Sequence, residues 1–156
     1  MKWLIFLMML QLTGCATLSS DATKTDRANS KVYDLNAQAV KSKLLAILQD
    51  SKMPVQEVDK ANGKIVSRRV KLEVNELKRI GSMPTRDYGG GFKQPWLWAR
   101  YREQYQLQSV GTNQTKVSVK IRLEGYNASG ARWIVISSNG IKEKEILDAL
   151  QTRLIN

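Results

Sequence analysis

The chain has 156 residues, enough for one domain with an ordinary core and cramped for two. It carries 25 Lys and Arg against 14 Asp and Glu, a formal charge of +11, with no His and one Cys. These counts exclude a Ser-His-Asp triad, a Cys-His pair, an imidazole metal site, an internal disulfide and a Cys cluster for zinc or iron–sulfur.

Met1–Leu12 reads as an export signal. Lys2 supplies a positive start, and Trp3–Leu10 (WLIFLMML) is an apolar run of eight. A spanning helix needs about 20 apolar residues, whereas a signal core of this size is ordinary. Small residues follow, and Leu12-Thr13-Gly14-Cys15 resembles the lipobox of bacterial lipoproteins. The resemblance implies that the Cys15 thiol takes a diacylglycerol, that residues 1–14 are removed, and that the new amine is acylated. A thiol is the side chain best suited to such transfer at neutral pH. One acyl chain anchors marginally, but the three the family carries make a lasting anchor. The resemblance to enterobacterial lipoproteins further implies, from Ala16 in place of Asp after the cysteine, sorting to the outer membrane with the domain facing the periplasm. The mature chain would then hold 24 basic and 14 acidic residues, a charge of +10.

Residues 15–30 are the lipidated Cys and a tether. Ala16–Ser30 (ATLSSDATKTDRANS) is small and polar without apolar periodicity. Such a flexible segment spans about 20 Å r.m.s. and would keep residues 31–156, a single domain, near its membrane.

Within the domain, Lys31–Tyr33 is a short opening strand. Asp34 or Asn36 can cap a helix in which Ala37, Val40, Leu44, Ile47 and Leu48 share one face. Pro54 ends it. Asn62-Gly63 signals a hairpin near Val55–Val74, with Val66, Val70, Leu72 and Val74 on one strand face. Asn75–Pro95, with Gly89-Gly90-Gly91, reads as an irregular loop longer than usual connections. Leu97–Val110 alternates, with Leu97, Ala99, Tyr101, Tyr105 and Leu107 on one side. In Thr115–Tyr126, Val117, Val119, Ile121 and Leu123 face inward, while Lys120, Arg122 and Glu124 face outward. Arg132–Ser137 is one more strand, and Asn139 or Gly140 starts a closing helix with Ile146, Leu147, Leu150 and Leu154 as its buried stripe. The pattern predicts an α+β fold: an antiparallel sheet with an N-terminal and a C-terminal helix on one face and a polar opposite face.

The first helix followed by Pro54–Ser67 (PVQEVDKANGKIVS), the strand Val117–Leu123, Trp133 and the helix Glu143–Leu154 resemble the helix-grip domains of the lipoprotein called component C of the bacterial outer-membrane β-barrel assembly machine. The resemblance covers one domain, Lys31–Asn156, and implies a helix-grip fold and a role in the envelope.

Two features point to binding. The segment Asp87–Trp98 (DYGGGFKQPWLW) gathers Tyr88, Phe92, Trp96 and Trp98 around glycines that let a loop adapt. Tyr and Trp are common anchors of contact surfaces and are as often plugs of a core. Residues Lys60–Arg102 hold eleven basic and three acidic side chains, with Arg68-Arg69-Lys71, Lys78-Arg79 and Arg100-Arg102 as clusters. Such charge favours anionic partners. Tyr88, Phe92, Trp96, Trp98 and Arg100 are therefore the candidate partner-binding residues, and Cys15 is the lipidation site. The i, i+2 carboxylate pairs Glu57–Asp59 and Glu143–Glu145 have no positioned partner, Ser42-Lys43 lies on the polar side of a helix, and no P-loop or dinucleotide fingerprint occurs, so nothing points to an enzyme, a cofactor or a metal. The expectation is a membrane-anchored periplasmic lipoprotein, an accessory subunit of an envelope protein complex that takes no nucleic acid. The alternative is a carrier of an apolar or anionic envelope ligand.

Overall fold

The computed structural model describes residues 29–82, 96–128 and 130–155. Residues 1–28, which include the segment read as an export signal, Cys15 and most of the segment read as a tether, lie outside the described residues, as do Tyr88 and Phe92.

In chain order the elements are β1 (Ser30–Tyr33), α1 (Ala37–Asp50), β2 (Val55–Asp59), β3 (Lys64–Ser67), β4 (Val70–Leu72), α2 (Val74–Ile80), β5 (Gly81–Ser82), β6 (Trp96–Gly111), β7 (Gln114–Asn127), β8 (Arg132–Ser138) and α3 (Ile141–Ile155). The fold is α+β. The strands form one antiparallel sheet in the order β2-β3-β6-β7-β8-β5, with β1 beside β7 and β4 beside β6. Its spine is the long β6–β7 hairpin, paired from Trp96↔Asn127 to Gly111↔Gln114.

Periodicity places the core where it was expected. Val117, Val119, Ile121 and Leu123 of β7 are buried, and they meet Val40, Leu44 and Leu48 of α1 and Leu147 and Leu150 of α3 in one cluster. Asn36 caps α1 by accepting the Ala39 backbone N–H at 2.9 Å, which satisfies one of the orphan donors of a helix start. At the other end, Ile141 donates its N–H to the Asn139 side chain at 3.1 Å.

Gly63 turns the β2–β3 hairpin with φ +61°, and a Cβ there would collide with the Leu107 carbonyl oxygen. Asp59 closes the same turn by accepting the backbone N–H groups of Ala61 and Asn62.

Three local expectations are corrected. First, part of the predicted loop is structured: Val74–Ile80 is helical, and Leu77 and Ile80 are fully buried. Two turns are too few for a periodic signal, and this helix is held by packing rather than propensity. Second, β3 and β4 are not one strand. The chain breaks at Arg68-Arg69, so Ile65 opposes Tyr105 on the core face while Val66 opposes Gln104 on the far face. Val70 and Leu72 return to the core face, opposite Tyr101 and Ala99. The break shifts the parity on which alternation depends. Third, the core face of β6 carries Glu103 between Tyr101 and Tyr105, and this carboxyl is only 5% exposed.

All three helices lie on one side of the sheet, since residues of each enter the same core cluster. Among the described residues no helix covers the other side.

Candidate functional site: the open face of the sheet

Directly opposed residues of antiparallel strands share a face. The register therefore lays out the open face as rows running across the strands. One row is Trp98, Tyr126 and Trp133, from β6, β7 and β8. The next is Lys71, Arg100, Glu124 and Val135. Beyond it Arg102 opposes Arg122, and then Gln104 opposes Lys120.

The aromatic row is in contact. Trp98 and Tyr126 have ring centroids 5.0 Å apart with planes tilted by 44°, and Tyr126 meets Trp133 edge-on at 5.5 Å. The Arg100 guanidinium carbon stands 3.9 Å from the centroid of the Trp133 ring, a cation–π contact. Trp98 remains 52% exposed, Trp133 39% and Val135 60%.

The second row is organised by Glu124, which is buried while its partners reach water. Arg100 Nε lies 2.5 Å from Glu124 Oε2, Arg69 Nε 3.3 Å from the same oxygen, and Arg122 Nε 3.2 Å from Oε1. Burial pushes the Glu124 carboxyl up, but the guanidiniums of Arg100 and Arg69 outweigh it and hold the carboxyl below its usual range. Three guanidiniums share one carboxylate, so most of their N–H donors are left for other acceptors. Arg102 adds a buried Nε that has no hydrogen-bond partner among the described residues. Arg69, Arg100 and Arg122 converge on this buried carboxylate, and Lys71, Arg102 and Lys120 stand on the same face of the sheet. The three paired guanidiniums are held in place before any partner arrives, which lowers the ordering cost of binding.

Of the residues singled out from the sequence, Trp98 and Arg100 come together here. Trp96 does not join them. It lies on the helix side, partly buried against the core, with its ring Cε3 only 2.6 Å from where a Cβ on Gly125 would stand. Residue 125 is glycine because the indole fills that space. Within the basic clusters, Arg69, Lys71, Arg100 and Arg102 meet on the open face. Arg79 instead sits on α2 and pairs with Glu76 and Glu145.

Sequence reasoning missed Tyr126, Trp133 and the role of Glu124. Alternation does put all three on the outward side of their strands. Which of them touch depends on cross-strand register, for which a single sequence carries no local signal.

Among the described residues, no group of three or more Cys, Asp or Glu side chains is placed to hold a metal ion. No helix among them is long and apolar enough to cross a membrane.

No protein-family model matches the chain. Comparison with curated proteins likewise finds no match. Fold and face together define the class: an α+β domain whose sheet is covered by helices on one side and presents fixed guanidiniums and exposed aromatics on the other.

Proposed function

We propose that this chain is a periplasm-facing lipoprotein of the bacterial outer membrane, held by an acylated Cys15, and that it acts as a binding or accessory subunit of a cell-envelope complex. It works by docking rather than by turning over a substrate. The observation that carries this reading is the open face, where three guanidiniums converge on one buried carboxylate, with Lys71, Arg102 and Lys120 on the same face, beside two exposed tryptophans. Arginines held in place suit carboxylates and phosphates, and exposed Trp beside Arg is the composition of contact hot spots. The partner surface that fits is acidic, and long-range attraction would speed its encounter. The lipobox at Leu12–Cys15 supports the anchor, and the short tether would hold the open face within reach of other envelope proteins.

Photo-crosslinking in intact cells tests this. A photoreactive residue at position 98 or 133 is expected to capture a defined protein, and one at Gln38, exposed on α1, is not. Changing Arg100 and Arg122 together to Glu should abolish the adducts. Equal capture from both sides of the domain, or none from the open face, refutes the docking reading. Metabolic labelling with palmitate tests the anchor separately: the wild-type chain is expected to be labelled and Cys15→Ser to be blank.

A further inference from the structure

Three glutamates are buried among the described residues, and two have a complete structural explanation. Glu124 is matched by three guanidiniums. Glu143, in the first turn of α3, accepts the Ile121 backbone N–H at 3.3 Å and the Ser138 hydroxyl at 2.7 Å. Glu103 differs. Its carboxylate accepts one hydrogen bond, from the Tyr105 hydroxyl on its own strand. Among the described residues, no Lys or Arg lies within ion-pair distance of it. Its backbone N–H is taken by the Ser67 hydroxyl at 2.9 Å, which fixes the strand there but leaves the carboxyl unaided. An ionised carboxylate has about four acceptor positions, and here one is filled. Burying such a group costs free energy unless something completes it.

Above Glu103 the space is open. A cleft of about 330 Å³ lies between β6, the end of α1 and the start of α3. Tyr101, Tyr105, Met53, Ile47 and Ile146 supply aromatic and apolar wall, and Lys142 and Glu145 stand on the α3 side. Lys142 is already engaged by Glu145, at 3.9 Å. The size is at the small end of ligand sites, and a mostly apolar wall with one convergent polar group is their usual make-up.

We propose that this cleft binds a small organic cation, an ammonium head on a short apolar stem, with the head on Glu103 and the stem along Met53 and Ile146. An anion would be repelled by Glu103 and Glu145. A neutral apolar molecule would bury Glu103 further without meeting its acceptors. An ammonium meets them and lies between two tyrosine rings whose faces attract cations. This site is independent of the open face, being on the opposite side of the sheet.

Binding is coupled to pH. The groups facing Glu103 are Tyr101 and Tyr105 from β6, and Lys142 and Glu145 from α3; Ile47 and Leu48 of α1 and Ser51 just after it do not titrate. Burial raises the Glu103 carboxyl above its ordinary value, only partly offset by the Tyr105 hydroxyl and Lys142. Tyr101 is pushed up to about 12 by burial and stays neutral in the working range. Glu145 is held down by Arg79 and stays charged. A cation therefore binds the ionised form of Glu103 and expels its proton.

The test is calorimetric titration of the full chain in non-ionic detergent, using n-butylammonium, n-butanol and butyrate as probes of one shape. Butylammonium is expected to bind at least about tenfold more tightly than the other two. Its affinity should rise by up to about tenfold per pH unit while Glu103 is protonated, then level off. Glu103→Gln should remove the preference and the pH dependence. Ile146→Trp should block the cleft while leaving Glu103 intact, which covers the case of a Gln variant that fails to fold. Equal affinity for the three probes, a pH-independent constant, or unchanged binding in both variants overturns the proposal.

Discussion

Replacing Glu124 with Gln removes the charge that holds the open face together and changes little in volume. In the wild type, Arg69, Arg100 and Arg122 converge on this carboxylate at 3.3, 2.5 and 3.2 Å. The Gln carbonyl can still accept a neutral hydrogen bond, but three guanidiniums would then face one another without a counter-charge. Breaking a fully buried pair costs about 3–5 kcal/mol. Here the arginine side chains are 43%, 33% and 42% exposed, so solvent screens much of that. The expected destabilisation is about 2 kcal/mol at low salt. Urea denaturation at neutral pH measures it. Because the residual term is repulsion between partly exposed cations, the penalty should fall to about half in 1 M NaCl, where the Debye length is about 3 Å. The pH dependence has a definite sign. Glu124 has a depressed value in the fold, so its contribution is complete above the unfolded-state value and is lost as pH falls through the folded-state value. The gap between wild type and Glu124→Gln should therefore close on acidification. A loss below about 0.5 kcal/mol, or one that ignores both salt and pH, refutes the view that Glu124 organises the face.

Three further outcomes follow from the packing. Gly63→Ala must adopt a positive φ and collides with the Leu107 carbonyl, so urea denaturation should show a loss of at least about 2 kcal/mol. Leu77→Ala empties a fully buried site under α2, for an expected loss of about 3 kcal/mol; a loss under about 0.5 would mean that this helix is not packed. Glu103 has a raised value in the fold, so the wild type should lose stability as pH rises from the unfolded-state value through the folded one. Glu103→Gln should lack that decline. Urea midpoints from pH 4 to 8 that run parallel in the two proteins would contradict this.

Much of the architecture was legible without coordinates, because helical and strand periodicity are local. Val40, Leu44 and Leu48 on α1 and Val117 to Leu123 on β7 announce buried faces at spacings of 3.6 and 2. The caps and the Asn62-Gly63 turn are likewise written in a few adjacent residues. The helix Val74–Ile80 was not legible, since two turns give no periodic statistic and its stability comes from contacts with distant β6, β7 and α3. The role of Glu103 was also hidden. Alternation marked its strand face as apolar, and the cleft that Glu103 lines is formed by residues of α1 and α3 far from it in sequence.

By itself the chain determined its two long helices, its long strands, its covered face and its excess of positive charge, and it carries at Leu12–Cys15 a motif that resembles a lipobox, each a property of neighbouring residues or of composition. Only the tertiary structure decided that Trp98, Tyr126 and Trp133 form one row, that three arginines at positions 69, 100 and 122 gather around Glu124, and that Trp96 turns away from them into the core. The reason is strand register. It brings residues dozens of positions apart into contact, and it is set by long-range packing of the whole sheet rather than by any local pattern.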